Sequence, residues 1–363
     1  MRFTLILIAS AFFLSAKCQS FQLNFDFSNA AQTLRWVTSP DADEIELKKL
    51  LELPSTKALQ KKLRTDSVTM RQALLSVHDS SLYKPEYARF GYRLVAARAN
   101  DLGRFLTEIK EREDSLRFEV EKALAHFVPK GTSLPVTVTL LLGGNSSGFT
   151  LGGDNIFYVG LQQYKNDFIG IRETCKHELF HNIQRLYRDH FSYSDQLDQH
   201  DKTGYAYLHF MLVHLFQEGS AEYVADLRKV TDPNALYVRE ARNQAAVNDY
   251  RSEEVFYLIS KMLYEATKFP DQTKQGPLYS ILFDWNWNNP GYYAGYVMVK
   301  ALCAEYGDNR LMEYLQKDPS EFVYDYIQLT KKHPEKYPFA FTEEFETIVN
   351  ELREELKKLP AQK

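Results

Sequence analysis

The sequence predicts a mainly α protein that carries one small β-sheet, an α+β arrangement. Three observations predict it. Along most of the chain apolar residues recur at three- and four-residue spacing with charges between them, the mark of helices with one buried face. Two short runs near the middle are instead β-branched and apolar, 135–142 (PVTVTLLL) and 156–161 (IFYVGL), and read as buried strands. The composition, 44% hydrophobic and 25% charged with no internal repeat, is that of a folded globular chain rather than a disordered one.

Taken in order, residues 1–20 read as an export leader. Arg2 opens it, residues 3–16 carry no charge, and the apolar stretch is too short to span a bilayer. Cys18 invites a lipid anchor, but Lys17 stands where a small residue is expected, so cleavage after Cys18 or Ser20 is favoured. The expected location is secreted or periplasmic, with no membrane-spanning segment in the mature chain. Residues 21–130 read as a helical N-terminal region, with helical patterning over 44–53, 67–77 and 87–127. The last of these is too long for one helix in a compact fold, and Gly91 and Gly103 are candidate breaks. The region offers a scaffold or a substrate-shaping unit and no catalytic pattern.

The turn at Pro129, Lys130 and Gly131 opens a second unit, 131–363. The glycine-rich residues 143–148 read as a hairpin-like connection between the two strands. They lack the Lys-Ser/Thr ending of a nucleotide loop. From Asp167 the pattern is helical to the end, with a polar stretch over 187–203 that reads as an inserted loop able to cover a cleft.

The formal net charge is −4, and loss of the leader removes two bases and no acid. With no basic block, nucleic acid is excluded as a partner. Beyond the leader only Cys175 and Cys303 remain, so one disulfide is the most the chain can form. No Cys-x-x-Cys pair is present, which argues against zinc held by thiolates.

The chemistry-bearing motif is His177-Glu178-Leu179-Phe180-His181. On a helix, residues four apart lie on one face, so both imidazoles can reach one metal ion. Glu178, turned about 100° from His177, reaches water at the metal without ligating it. Ile171, Cys175, Leu179, Ile183 and Leu186 form an apolar stripe on the opposite side of this helix, so the two histidines are not core residues. Cys175 lies on that stripe and reads as a small buried hydrophobe.

A tetrahedral catalytic zinc needs a third protein ligand. Glu218, at the edge of the apolar arc of a second helix (Leu208, Met211, Leu212, Leu215, Tyr223), is the first choice. Glu222, one turn on and inside that arc, reads as an outer acceptor for a ligand histidine, and it is the main alternative ligand. His214 is a weaker alternative, and His209 reads as a packed or surface histidine.

This combination resembles the gluzincin group of zinc metallopeptidases, in which a helix bearing HExxH is followed by one supplying a glutamate within Glu-Gly-x-Ala; here it is Glu218-Gly219-Ser220-Ala221. The resemblance covers roughly residues 135–305 and is nearer to little-characterised bacterial members than to any well-studied enzyme. The 36 residues between His181 and Glu218 are more than the best-known members have. It implies one zinc ion held by His177, His181 and Glu218, with Glu178 as general base. It implies a peptide or protein substrate whose backbone pairs with an edge strand near 156–161. It also implies an oxyanion-steadying tyrosine three residues before a helical glycine; Tyr292 before Gly295 fits, and Tyr292 as a packing residue is the alternative. Two other functions remain in contention: a zinc hydrolase of a different amide or ester, and an exported binding protein with a structural metal site.

Overall fold

The computed structural model describes residues 20–39, 41, 43–151, 155–187, 193–200 and 202–359. Arg2, Lys17 and Cys18 of the expected leader lie outside the described residues. The architecture is mainly helical with one four-stranded sheet, as the periodicities predict.

Four strands form the sheet: β1 (Ser20–Asp26), β2 (Ser133–Leu141), β3 (Gly148–Phe149) and β4 (Ile156–Gly160), in the order β1-β2-β4-β3. Three expectations change here. The N-terminal region begins with a strand, not a helix. Its Phe21 and Leu23 point into the core while Gln22 and Asn24 face solvent, and β1 runs parallel to β2. Next, β2 and β4 are parallel neighbours, so the glycine run is not a hairpin turn. It folds back at Gly143 and Gly144, both at positive φ, where Gly144 N donates to Phe90 O and the Gln162 amide donates to both glycine carbonyls. Finally, β4 is not the sheet edge. Antiparallel β3 covers it at Tyr158 and Val159, and β3 is the outer strand.

Around the sheet stand the helices α1 (Ser28–Thr38), α2 (Ala99–Glu111), α3 (Glu113–Leu124), α4 (Phe168–Arg185), α5 (Ser194–Gln199), α6 (Thr203–Val224), α7 (Ser252–Lys268), α8 (Pro290–Tyr306), α9 (Pro319–Lys332) and α10 (Glu343–Lys358). Further helices lie within 44–75 and at 236–250, 275–283 and 309–314. Gly91, left-handed, does interrupt the 87–127 stretch. Gly103 does not, since α2 runs straight through it; the other breaks fall at Arg98 and Arg112. The polar 187–203 stretch is not simply a loop, because α5 lies within it and buries Leu197.

One apolar core crosses residue 130. Leu102, Phe105, Ile109 and Leu116 belong to the same cluster as Val138, Leu179 and Leu215. A smaller cluster joins Trp36, Leu47, Leu59 and Met70 to Leu141, Phe149 and Tyr158. Among the described residues no helix is long and apolar enough to cross a membrane. Cys175 and Cys303 are both free and buried, so the disulfide that the sequence allows is not formed.

Candidate metal centre

Helix α4 starts at Asp167, whose carboxylate caps it by accepting from Gly170 N at 2.9 Å. Ile171, Cys175, Leu179 and Ile183 are fully buried, as the apolar stripe requires; Leu186, at its end, is exposed instead. Anchoring that stripe turns His177 and His181 to the other side, towards α6. Their rings lie 5.0 Å apart between centroids and nearly perpendicular.

Helix α6 brings Glu218 between them. Glu218 Oε2 stands 3.3 Å from His177 Nε2 and 3.3 Å from His181 Nε2. It is buried and makes no hydrogen bond with either. Among the described residues these three form the one cluster able to hold a metal ion, with donor atoms within 4.8 Å of one another. Donors about 2.0–2.1 Å from a zinc ion at tetrahedral angles stand roughly 3.3–3.4 Å apart. The spacing and the nitrogen–oxygen donor set therefore fit zinc, and an orphaned buried carboxylate oxygen, otherwise a cost of about 1–3 kcal/mol, has a reason to exist.

The electrostatics follow from the crowding. Burial disfavours charge on both imidazoles, yet Glu218 outweighs it: His177 is raised above its ordinary pKa and His181 to about 9. Burial likewise works against charge on Glu218, and the two imidazoles overcome it, holding the carboxyl far below the usual range. Glu222 reaches His177 from behind, its Oε1 3.7 Å from Nδ1, just beyond hydrogen-bond length. Burial pushes its pKa up, with His177 and Arg228 opposing.

Tyr292 arrives by backbone packing. Gly219, beside Glu218, lies against Gly295 of α8: a Cβ on Gly219 would meet the Gly295 carbonyl carbon at 2.1 Å, and one on Gly295 would meet Leu215 O at 2.1 Å. Only two glycines let α6 and α8 approach so closely. Tyr292, one turn before Gly295, then stacks on the His177 ring at 6.0 Å with 12° between planes. Burial and the Glu218 and Glu178 carboxylates push its phenol pKa up, so it stays a hydrogen-bond donor.

A cavity of about 670 Å³ opens on this cluster, lined among others by Glu178, His181, Glu218, Tyr292 and, just past β3, Thr150. Ser194 and Asp195 of α5 form part of its wall, so the polar segment does border the cleft. His214 also lines it, but its Nδ1 is bonded to Phe210 O and it is not in the metal-holding cluster. His209 is fully buried between Ser194 Oγ at 2.7 Å and Asp318 Oδ2 at 2.8 Å, which makes it a packing residue.

Sequence reasoning missed Gln184. Its amide bonds His181 Nδ1, Gln217 O and Ser220 Oγ. Its one sequence signal is the spacing of three from His181, which any helical glutamine could share.

No curated protein and no solved structure matches the chain. A family model described as "Putative zinc dependent peptidase (DUF5700)" matches residues 47–335, well over half of the chain and inclusive of every residue of this cluster. With that match over most of its length, and with two residues of the donor set lining its cleft, the chain belongs to this family, DUF5700.

Proposed function

We propose that the chain is an exported, gluzincin-like zinc metallopeptidase, with residues 1–20 as its leader, in which His177, His181 and Glu218 hold one zinc ion. The observation that carries this reading is the buried Glu218 oxygen, equidistant from two Nε2 atoms and bonded to neither. Zinc held there supplies Lewis acidity and lowers the pKa of water towards ~7.

The chain's own residues then divide the work. Glu178, on the cavity wall beside His181, accepts a proton from the attacking water as oxygen adds to the scissile carbonyl carbon. When the C–N bond breaks, Glu178 returns that proton to the leaving nitrogen, so hydrolysis balances with water as the only added reactant. Tyr292, kept protonated, donates to the oxygen that gains negative charge. Glu222, 3.7 Å from His177 Nδ1, adds negative charge behind that ring without bonding it. The outer strand β3, next to Thr150 on the cavity wall, is the sheet edge along which an extended peptide would lie; it takes the part that the sequence reading gave to 156–161.

The experiment is Glu178→Gln in the mature chain, assayed on a mixed peptide library alongside zinc content. Turnover should vanish while one zinc per chain remains. Undiminished turnover would refute the assigned base, and a wild-type chain that takes up no zinc would refute the whole reading.

A further inference from the structure

Gln184 sits one turn beyond His181 on α4 and is buried to 1% exposure, although a glutamine carries four hydrogen-bonding positions. Its side chain lies between α4 and α6. Nε2 stands 2.9 Å from Gln217 O and 2.8 Å from Ser220 Oγ, and Oε1 stands 2.7 Å from His181 Nδ1.

The orientation of this amide follows from its partners. Gln217 O is a carbonyl and can only accept, so the amide end facing it is NH2. Ser220 Oγ gives its proton to Phe216 O at 2.6 Å, which leaves the hydroxyl lone pair for the second amide hydrogen. A flipped amide would set oxygen against the Gln217 carbonyl and is excluded. The remaining end, Oε1, can only accept, so the group at 2.7 Å from it, His181 Nδ1, must carry a proton. In a neutral imidazole that leaves the bare lone pair on Nε2, the atom facing Glu218.

We infer that Gln184 is the positioning residue of the metal centre, fixing His181 in the Nδ1–H tautomer so that Nε2 is the ligating atom. The inference rests on the zinc site proposed above. The donors run in one direction, from His181 to Gln184 to Ser220 to Phe216 O, so each bond polarises the next and the accepting amide makes Nε2 more basic. The Glu218-Gly-Ser-Ala segment thus has a second use: Glu218 would face the ion while Ser220, two residues on, holds the amide that orients His181. His177 lacks such a bond, since Glu222 stands 3.7 Å from its Nδ1. The two histidines are therefore not equivalent, and His181 is the better fixed.

The test compares Gln184→Met with Ser220→Ala in the mature full-length chain. Zinc affinity is read by chelator competition and fold stability by thermal melting. The serine variant loosens the link between α4 and α6 but leaves Gln217 O to hold the amide. The methionine variant removes the acceptor at His181. Zinc Kd should rise about 10–100-fold for Gln184→Met and no more than a few-fold for Ser220→Ala, even where the two melt alike. If both lose affinity in step with their melting temperatures, Gln184 is a packing residue and the inference fails. It fails equally if Gln184→Met binds zinc as the wild type does. Should the methionine variant not fold, the zinc-loaded wild type decides through long-range 1H–15N spectra of its histidine rings. A slowly exchanging proton on His181 Nδ1 is expected, and a proton on Nε2 overturns the assignment. A wild type that binds no zinc overturns this inference together with the proposed function. Zinc bound with unchanged Gln184→Met affinity overturns this inference alone.

Discussion

At the scale of single residues, a metal entering the candidate centre would compete with protons for the same lone pairs. In the metal-free chain His181, with its pKa near 9, keeps a proton through neutral pH, against about 6.5 for a free imidazole. That raised pKa stabilises the metal-free fold below pH ~6.5, and the contribution fades as pH rises through 9. A metal must displace the proton, so zinc uptake at pH 7 should release protons and the apparent affinity should climb with pH, flattening beyond about 9. Calorimetry in two buffers of different ionisation enthalpy measures the release; equal heats in both would contradict it. Tyr292→Phe should leave zinc affinity intact and lower kcat by roughly 10²–10³, the usual loss for one oxyanion donor; an unchanged kcat would return Tyr292 to a packing role. That His177 and His181 share a face was legible, because a spacing of four on a helix places them together. Glu218 was legible because a carboxylate on an apolar arc calls for a partner. Gln184 was not, since its meaning depends on Gln217 and Ser220, contributed by a different helix, and nothing in a linear sequence says which residues a helix will face.

At the scale of elements, the decisive contact is the crossing of α6 and α8 at Gly219 and Gly295. Gly219→Ala sets a methyl against backbone that cannot yield. The helices must separate, at a cost towards the upper end of the about 1–3 kcal/mol typical of overpacking. Because Tyr292 and Glu218 flank the crossing, zinc affinity should fall with stability. Gly103→Ala is the control. It sits mid-helix with nothing near its added methyl, and should gain roughly 0.5–1 kcal/mol. Thermal melts of the two variants should move in opposite directions. The helices themselves were readable from periodicity, and the strands at 135–142 and 156–161 from their β-branched runs. Their relative direction was not. Parallel and antiparallel pairs of buried strands share the same residue pattern, and only the backbone path through Gly143 and Gly144 decides between them. The strand β1 did announce itself by alternation (Phe21, Leu23, Phe25), but it abuts the apolar leader and merges with it on reading.

At the scale of the whole molecule, the sheet and the larger core run across residue 130. The helices before that point share their core with α4 and α6, which carry the candidate metal centre. A chain beginning at residue 131 would therefore expose the inner faces of β2 and α4 to water. It should lack a cooperative melt and bind zinc far more weakly than the full chain, as circular dichroism and chelator competition would show. A well-folded fragment with native affinity would establish 131–363 as an independent unit. The pairing of β1 with β2 has a temporal side too. A ribosome synthesises β1 long before β2, so this strand must wait, unpaired and with its phenylalanines exposed, until more than a hundred further residues have followed. Closing so long a loop is entropically costly and slow. In the interval a binding factor that shields alternating apolar segments would find in β1 a ready handle, which its own partner strand later takes away.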